Sequence, residues 1–175
     1  MNIFVLNSGR CGSTTFIRAC QHITNYTSAH ESRSRLTGND RFAYPDGHIE
    51  ADNRLSWLLG RLDHHYADHA AYVHLTRAAD ACAASFVKRA DFGIMKAYRE
   101  GILMEPQGLT DETLAEDYLV TVETNIALFL RDKTRVYRVR LEQAETDFRL
   151  FWEGIGAQGD LDAALAEWGI RHNAS

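Results

Sequence analysis

The chain has 175 residues, of which 45% are hydrophobic and 25% charged, and its formal net charge is −5. This length suits one domain with a buried core, so we expect residues 1–175 to form a single domain. The acidic balance disfavours nucleic acid as a partner, and any anion site must be a local cluster of arginines and backbone amides. The three cysteines form no pairing framework, no signal peptide is evident, and no run approaches the ~18 apolar residues of a membrane span. We therefore expect a cytoplasmic protein without a membrane span.

The first predicted elements are a strand and a helix separated by a glycine turn. Residues 2–7 form a short apolar run that predicts a buried strand, and residues 13–24 place apolar side chains on one helical face. Residues 25–51 are polar and rich in turn signals, so the sequence predicts a loop there, with a short strand near 28–30.

The rest of the chain alternates helices and strands. Asp52 stands where it would N-cap a helix running to about residue 62, with its leucines facing inward. Residues 71–76 predict a second strand, and residues 79–88 a helix. The remaining predicted elements are a short helix over 92–103, a long helix over 110–132, a strand over 134–141 and terminal helices over 142–153 and 160–168. This alternation predicts an α/β fold with a central parallel sheet.

The turn after the first strand has the composition of an anion-binding loop. It reads Asn7, Ser8, Gly9, Arg10, Cys11, Gly12, Ser13, Thr14 and Thr15. Its glycines let the backbone turn tightly, and the helix that follows adds free N–H groups and a positive dipole end. The alternative is an ordinary strand–helix turn made of small residues.

Two rival phosphate chemistries fit this turn poorly. A Walker A loop needs a lysine after its second glycine, where this chain has Ser13. A phosphatase loop of the C-x5-R type starting at Cys11 needs an arginine where this chain has Ile17. The nucleotide-kinase and cysteine-phosphatase interpretations are both weakened.

The turn resembles the 5′-phosphosulfate loop of sulfotransferases that use 3′-phosphoadenosine 5′-phosphosulfate (PAPS). In that family a Lys or Arg, then Ser or Cys, Gly and a hydroxyl pair wrap the 5′-phosphate. A second patch is also similar, because Arg77 follows a predicted strand and Ser85 comes eight residues later, on the next helix. Family members place an arginine and a serine at this spacing around the 3′-phosphate.

The resemblance implies a P-loop-type three-layer α/β fold, with a central parallel sheet flanked by helices. It also implies PAPS as co-substrate, no metal, and transfer of a sulfuryl group to a hydroxyl or amine of a small-molecule or carbohydrate acceptor. The implied cofactor-binding residues are Ser8, Gly9, Arg10, Cys11, Gly12, Ser13, Thr14, Arg77 and Ser85.

Three residues are candidates for the chemistry itself. Arg10 would offset the charge that develops on the bridging oxygen of PAPS. His30 and Glu31 lie where several sulfotransferases keep a general base. In extended backbone their side chains face opposite sides, so we expect only one to serve, Glu31 first and His30 second. The alternative is that both are polar residues of a surface loop.

Other assignments stay open. Arg138 and Arg140 are weak candidates for a further ligand of the 3′-phosphate, and the aromatic residue that stacks on adenine is unassigned. His65 and His69 share a helical face but lack a nearby third metal ligand, so solvated histidines are the favoured interpretation. The alternative functions are a kinase-like, nucleotide-dependent phosphotransferase with Arg10 in place of the usual lysine, which magnesium dependence would distinguish, and a non-catalytic nucleotide-binding module.

Overall fold

A five-stranded parallel sheet forms the centre of the fold in the computed structural model, which describes residues 1–170. Its strands are β1 (Ile3–Leu6), β2 (Thr27–His30), β3 (His48–Ala51), β4 (Ala71–Thr76) and β5 (Val136–Arg140). The strand order is β2-β3-β1-β4-β5, and every neighbouring pair is parallel. The predicted α/β fold with a central parallel sheet is confirmed.

Helices flank the sheet. They are α1 (Ser13–Cys20), α2 (Leu59–Tyr66), α3 (Ala79–Val87), α4 (Gly93–Ala97), α5 (Asp111–Leu130), α6 (Ala144–Gly154) and α7 (Leu161–Ala166). Helices α1, α6 and α7 pack against one another, and α3 packs against α5. Among residues 1–170, no helix has the length and apolar character to cross a membrane.

The strand order creates a topological switch point between β1 and β4. From β1 the chain crosses to the β2 side of the sheet, whereas from β4 it crosses in the opposite direction to β5. Because such crossovers are right-handed, their helices lie on opposite faces of the sheet. A crevice therefore opens at the carboxyl ends of β1 and β4, where ligands bind in open α/β folds.

Strand β1 is buried on both faces, which explains its unbroken apolar sequence. All four of its side chains are inaccessible to solvent. On one side of the sheet, Phe16 of α1 packs against Phe148 and Phe151 of α6. This packing fixes α1, the helix that follows the glycine turn, against α6.

The predicted loop over residues 25–51 is wrong at its end, where β3 forms. This strand reads His-Ile-Glu-Ala, and its two polar side chains are buried instead of alternating toward solvent. The Glu50 carboxylate accepts hydrogen bonds from the Ser32 main-chain N–H (2.7 Å) and hydroxyl (2.6 Å), and it lies 3.0 Å from His48 Nε2. Burial of satisfied polar groups has no signature in local sequence, so the hydrophobic pattern missed this strand.

The helix predicted from Asp52 to residue 62 is also misplaced. Asp52 accepts a hydrogen bond from the Arg54 N–H, but the helix that it caps is a short 3₁₀ turn, Asn53–Trp57. Helix α2 starts only at Leu59 and runs to Tyr66. The short turn keeps Asn53 and Arg54 beside the glycine turn, so the error bears on the site.

Candidate functional site

A cavity of about 740 Å³ lies at the carboxyl ends of β1 and β4. Its floor is the glycine turn, and its walls come from α3 and α4 on one side and from the end of β2 and the Asn53–Trp57 turn on the other. Leu141 and Trp168 also reach it from the C-terminal part of the chain. The cavity therefore occupies the crevice that the strand order creates.

The glycine turn holds a conformation that few residues adopt. Gly9 has φ 96° and Gly12 has φ 87°. A Cβ atom on Gly12 would lie 2.8 Å from Leu141 Cδ1, and one on Gly9 would lie 3.0 Å from Asn53 Nδ2. Arg10 also has a positive φ, 60°, which is uncommon outside glycine and costs conformational energy. The strain is concentrated where the loop borders the cavity.

Hydrogen bonds from two other elements, and one within the turn itself, hold the turn in place. Tyr118 of α5 donates to the Ser8 carbonyl oxygen (2.8 Å), and Ser56 donates to the Asn7 carbonyl oxygen (3.0 Å). The Gly9 N–H donates to the Asn7 side-chain oxygen at 2.9 Å. A loop braced in this way has its backbone amides oriented before a ligand arrives, which reduces the cost of binding.

The N-terminus of α1 faces the same cavity. Gly12 caps the helix without any side-chain hydrogen bond, and no acidic residue stands in the first turn. Ser13, Thr14 and Thr15 all line the cavity. The first N–H groups of a helix attract anions, so this end of α1 is suited to a phosphate or sulfate group.

Basic side chains gather on the α3 side of the cavity. Arg10, Arg77, Lys88 and Arg89 all line it. The pKa of Arg10 is lowered by partial burial and by repulsion from Arg89 and Arg77. Among residues 1–170 no carboxylate lies within ion-pairing distance of Arg10 or Arg77. The structure thus concentrates like charge in a protein whose net charge is −5.

The two patches predicted from the sequence, the glycine turn and the pair Arg77 and Ser85, meet in this wall. Arg10 Nε donates a hydrogen bond to Ser85 Oγ at 2.8 Å, across 75 positions of sequence. Arg77 Nη1 donates to the Arg10 carbonyl oxygen at 3.3 Å. The loop, the end of β4 and helix α3 therefore contribute to one basic surface.

His30 and Glu31 both border the cavity on its β2 side. His30 Nε2 lies 2.9 Å from Ser13 Oγ, and Glu31 forms an ion pair with Arg54 at 2.9 Å. The expectation that they face opposite sides is wrong, because β2 ends at His30 and Glu31 has a φ of 51°, so strand alternation stops there. Both side chains reach the cavity.

Two residues of the predicted loop direct their side chains away from the cavity. Ser8 and Cys11 are buried beneath the turn, with Ser8 Oγ 3.5 Å from Cys11 Sγ.

The two β5 arginines that were candidates for the 3′-phosphate do not contribute to the basic surface. Arg140 makes two side-chain hydrogen bonds to the Asp147 carboxylate at 2.8 and 2.9 Å. Arg138 is exposed on β5 and does not line the cavity.

His65 and His69 do not share a helix, because α2 ends at Tyr66. The ring of His65 stacks on Phe42 with centroids 4.9 Å apart. Across residues 1–170, no three His, Cys, Asp or Glu side chains come together as potential metal ligands.

Several cavity residues escaped the sequence analysis. Lys88 and Arg89 follow Ser85 by three and four positions, a helical spacing that would have placed them on the same wall. Asn53 and Arg54 were missed because the 3₁₀ turn was assigned to a helix. Phe92 is 69% exposed at the cavity rim, and no pattern in its neighbourhood marks it.

A solved structure with the same fold supplies the relevant comparison. The chain is similar to the sulfotransferase domain from the curacin biosynthetic pathway, with a TM-score of 0.62 and 14% sequence identity. The match covers 92% of this chain and 75% of that one. The fold is sulfotransferase-like. No protein-family profile and no curated protein sequence matches the chain.

Proposed function

We propose that this protein is a PAPS-dependent sulfotransferase, which transfers a sulfuryl group to a hydroxyl or amine of a small-molecule or carbohydrate acceptor. The observation that carries the proposal is the basic wall beside the glycine turn, where Arg10 and Arg77 line the cavity and no carboxylate of residues 1–170 lies within ion-pairing distance of either. A cluster of like charges is costly unless an anion neutralises it, and PAPS carries anionic groups at both ends of its ribose.

The two halves of the basic wall suit the two ends of this nucleotide. The braced amides of the turn, the N-terminus of α1 and Arg10 would hold the 5′-phosphosulfate. Arg77 and Ser85, which stand beside Arg10, would hold the 3′-phosphate. A cavity of about 740 Å³ accommodates a ligand of nucleotide size together with part of an acceptor.

The transfer step then requires positioned charge and one proton acceptor. The acceptor oxygen attacks sulfur in line, and the bond from sulfur to the 5′-phosphate oxygen breaks. Arg10 offsets the charge on that departing oxygen. Glu31 takes the proton from the acceptor hydroxyl, with His30 as the second candidate, since both border the cavity near Ser13.

A magnesium-dependent phosphotransferase is less well supported. Mg²⁺ is held by carboxylates together with nucleotide phosphates. Glu31 is the one carboxylate among the described cavity-lining residues, and it stands on the β2 side, not among the basic side chains that would hold the phosphates.

The decisive experiment is calorimetric binding of 3′-phosphoadenosine 5′-phosphate (PAP) against adenosine 5′-phosphate. We expect the wild type to prefer PAP and Arg77→Ala to lose that preference, because a charge-assisted contact is worth about 1.5–3 kcal/mol, or roughly tenfold or more in affinity. Arg149→Ala, an exposed arginine of α6 outside the cavity, is the matched control and should bind PAP like the wild type. Equal or absent binding of both nucleotides would refute the proposal.

A further inference from the structure

Two thiols meet directly beneath the glycine turn. Cys11 Sγ, from the turn, lies 3.9 Å from Cys82 Sγ, from α3. Both sulfur atoms are also close to the Gly9 carbonyl oxygen, at 3.1 Å for Cys11 and 3.3 Å for Cys82. The two thiols therefore connect the loop to the helix that carries Ser85.

A second cavity gives access to one of these thiols. It has a volume of about 130 Å³, and its lining includes Cys82, Arg77 and Ser8. A space of this size admits water or a hydroperoxide. The third cysteine, Cys20, is buried in α1 and lines neither cavity, which makes it a natural internal control.

The electrostatic environment distinguishes the two thiols of the pair. The hydrogen bond with Cys11 lowers the pKa of Cys82, and the positive charge of Arg77 acts in the same direction. That hydrogen bond and burial raise the pKa of Cys11. Cys82 is therefore the more readily ionised of the two, and the thiolate is the reactive form.

We propose that Cys11 and Cys82 form a reversible disulfide when a hydroperoxide enters the second cavity, and that this disulfide switches off anion binding by the glycine turn. The Cys82 thiolate attacks one peroxide oxygen and the O–O bond breaks. Cys82 becomes a sulfenic acid, and the other oxygen takes up the proton that the thiol released and leaves as water or an alcohol. The Cys11 sulfur then attacks the Cys82 sulfur, the S–O bond breaks, and water leaves. Two thiols are oxidised by two electrons while the peroxide is reduced, and an added dithiol reverses the reaction.

The disulfide would change the site because the glycine turn cannot move without displacing the groups that line the main cavity. An S–S bond requires the sulfur atoms to approach by about 1.9 Å from their present separation. Cys11 stands between Arg10 and Gly12, so its movement displaces the guanidinium and the amides that face the main cavity. Gly9 cannot absorb the shift easily, since Asn53 and Phe86 already crowd it. This consequence for nucleotide binding rests on the proposed function, whereas formation of the disulfide does not.

Peptide mapping tests the disulfide without any ligand. Trypsin places the three cysteines on separate peptides, residues 11–18, 19–33 and 78–88. After treatment with hydrogen peroxide and blocking of free thiols, we expect a cross-link between peptides 11–18 and 78–88 that a dithiol removes. We expect Cys20 to remain a blocked thiol. Failure of Cys11 and Cys82 to cross-link, or a cross-link that involves Cys20, would overturn the proposal.

Calorimetry of PAP binding tests the consequence. We expect oxidation to weaken binding by the wild type about tenfold or more, as for the loss of one charge-assisted contact, and a dithiol to restore it. Cys82→Ser should bind PAP in the reduced state and ignore peroxide, whereas Cys20→Ser should respond like the wild type. A cross-linked protein that binds PAP unchanged would overturn the switch. If the reduced protein binds neither PAP nor adenosine 5′-phosphate, the proposed function fails, and peptide mapping still decides whether the disulfide exists.

Discussion

On the α3 side of the main cavity, Arg10 and Arg77 make their hydrogen bonds to a serine hydroxyl and a main-chain carbonyl. On the β2 side, charges are matched in pairs, with Glu31 against Arg54 and the buried Asp52 against Arg41. The charges of Arg10 and Arg77, which have no carboxylate partner among residues 1–170, cost stability and favour an anionic ligand, whereas matched charge fixes the geometry of the other wall. The comparison separates a wall whose charges would bind the anion from a wall whose charges hold its own side chains in place, among them the proposed proton acceptor Glu31.

The largest effect should come from removing the proton acceptor on the β2 side. With an acceptor that supports turnover, we expect Glu31→Gln to lower kcat by about 10²–10⁴-fold, the range for loss of a general base, with PAP affinity unchanged. Initial rates and calorimetry measure the two quantities. His30→Gln is the matched substitution and should have the smaller effect on kcat. If His30→Gln is instead the slower enzyme, the roles of the two side chains are reversed.

The next largest effect concerns the buried ion pair. Asp52 is inaccessible to solvent and Arg41 is 3% exposed, so Asp52→Ala leaves a buried guanidinium without its partner. We expect the free energy of unfolding to fall by about 3–5 kcal/mol, measured by denaturant titration. The exposed pair gives the control, because Arg54→Ala should cost only about 0–1 kcal/mol. Equal costs for both variants would mean that the β2 side is not fixed by its buried charges.

The same contrast explains what the sequence predicts. The basic side is built from β1, α1, β4 and α3, whose apolar residues follow strand and helix periodicity and whose turn is marked by glycines. The sequence therefore predicts the order and spacing of the glycine turn and of the Arg77 and Ser85 patch. The β2 side depends on β3 and a 3₁₀ turn. These elements are held by Glu50 with Ser32 and by Asp52 with Arg41, contacts between residues 11–18 positions apart that local patterns do not encode.

Prediction also failed where backbone geometry overrides strand periodicity. The opposite-face expectation for His30 and Glu31 assumed extended backbone, but Glu31 is left-handed, and its N–H donates to the Ala51 carbonyl oxygen at 3.0 Å. That contact depends on β3, so the missed strand and the misjudged side chain share one cause. Had β3 been predicted, its last residue, Ala51, would have been available as the hydrogen-bond partner of Glu31 at the end of β2.

A smaller effect should separate binding from stability on the basic side. Arg10→Ala removes one member of a cluster whose charges repel one another. We expect PAP affinity to fall roughly tenfold or more, from a lost contact of about 1.5–3 kcal/mol, while the free energy of unfolding stays the same or rises. Calorimetry and denaturant titration measure both. A variant that loses stability in step with affinity would show that Arg10 is structural.

The smallest effect distinguishes Arg77 from Arg140, two arginines at the ends of neighbouring strands. Arg140 is paired with Asp147, and this guanidinium lowers the pKa of the Asp147 carboxyl. A carboxyl whose pKa is lowered by folding adds stability above its unfolded pKa of about 4, and that stability is lost as pH falls through the folded pKa. We expect Asp147→Asn to lower the free energy of unfolding by about 1–2 kcal/mol at pH 7. The difference from the wild type should shrink below about pH 4, as denaturant titrations across pH would show.

Asp147→Asn also tests whether the Asp147 carboxylate keeps the Arg140 guanidinium from binding PAP. Asp147→Asn frees the Arg140 guanidinium from its charged partner without removing it. If Arg140 serves only to join β5 to α6, PAP affinity stays at the wild-type value while stability falls. A gain in PAP affinity would instead show that Asp147 competes with the nucleotide for Arg140. The Arg140–Asp147 pair would then belong to the binding site. The distinction between arginines that bind the nucleotide and arginines that are paired with a carboxylate would not hold at β5.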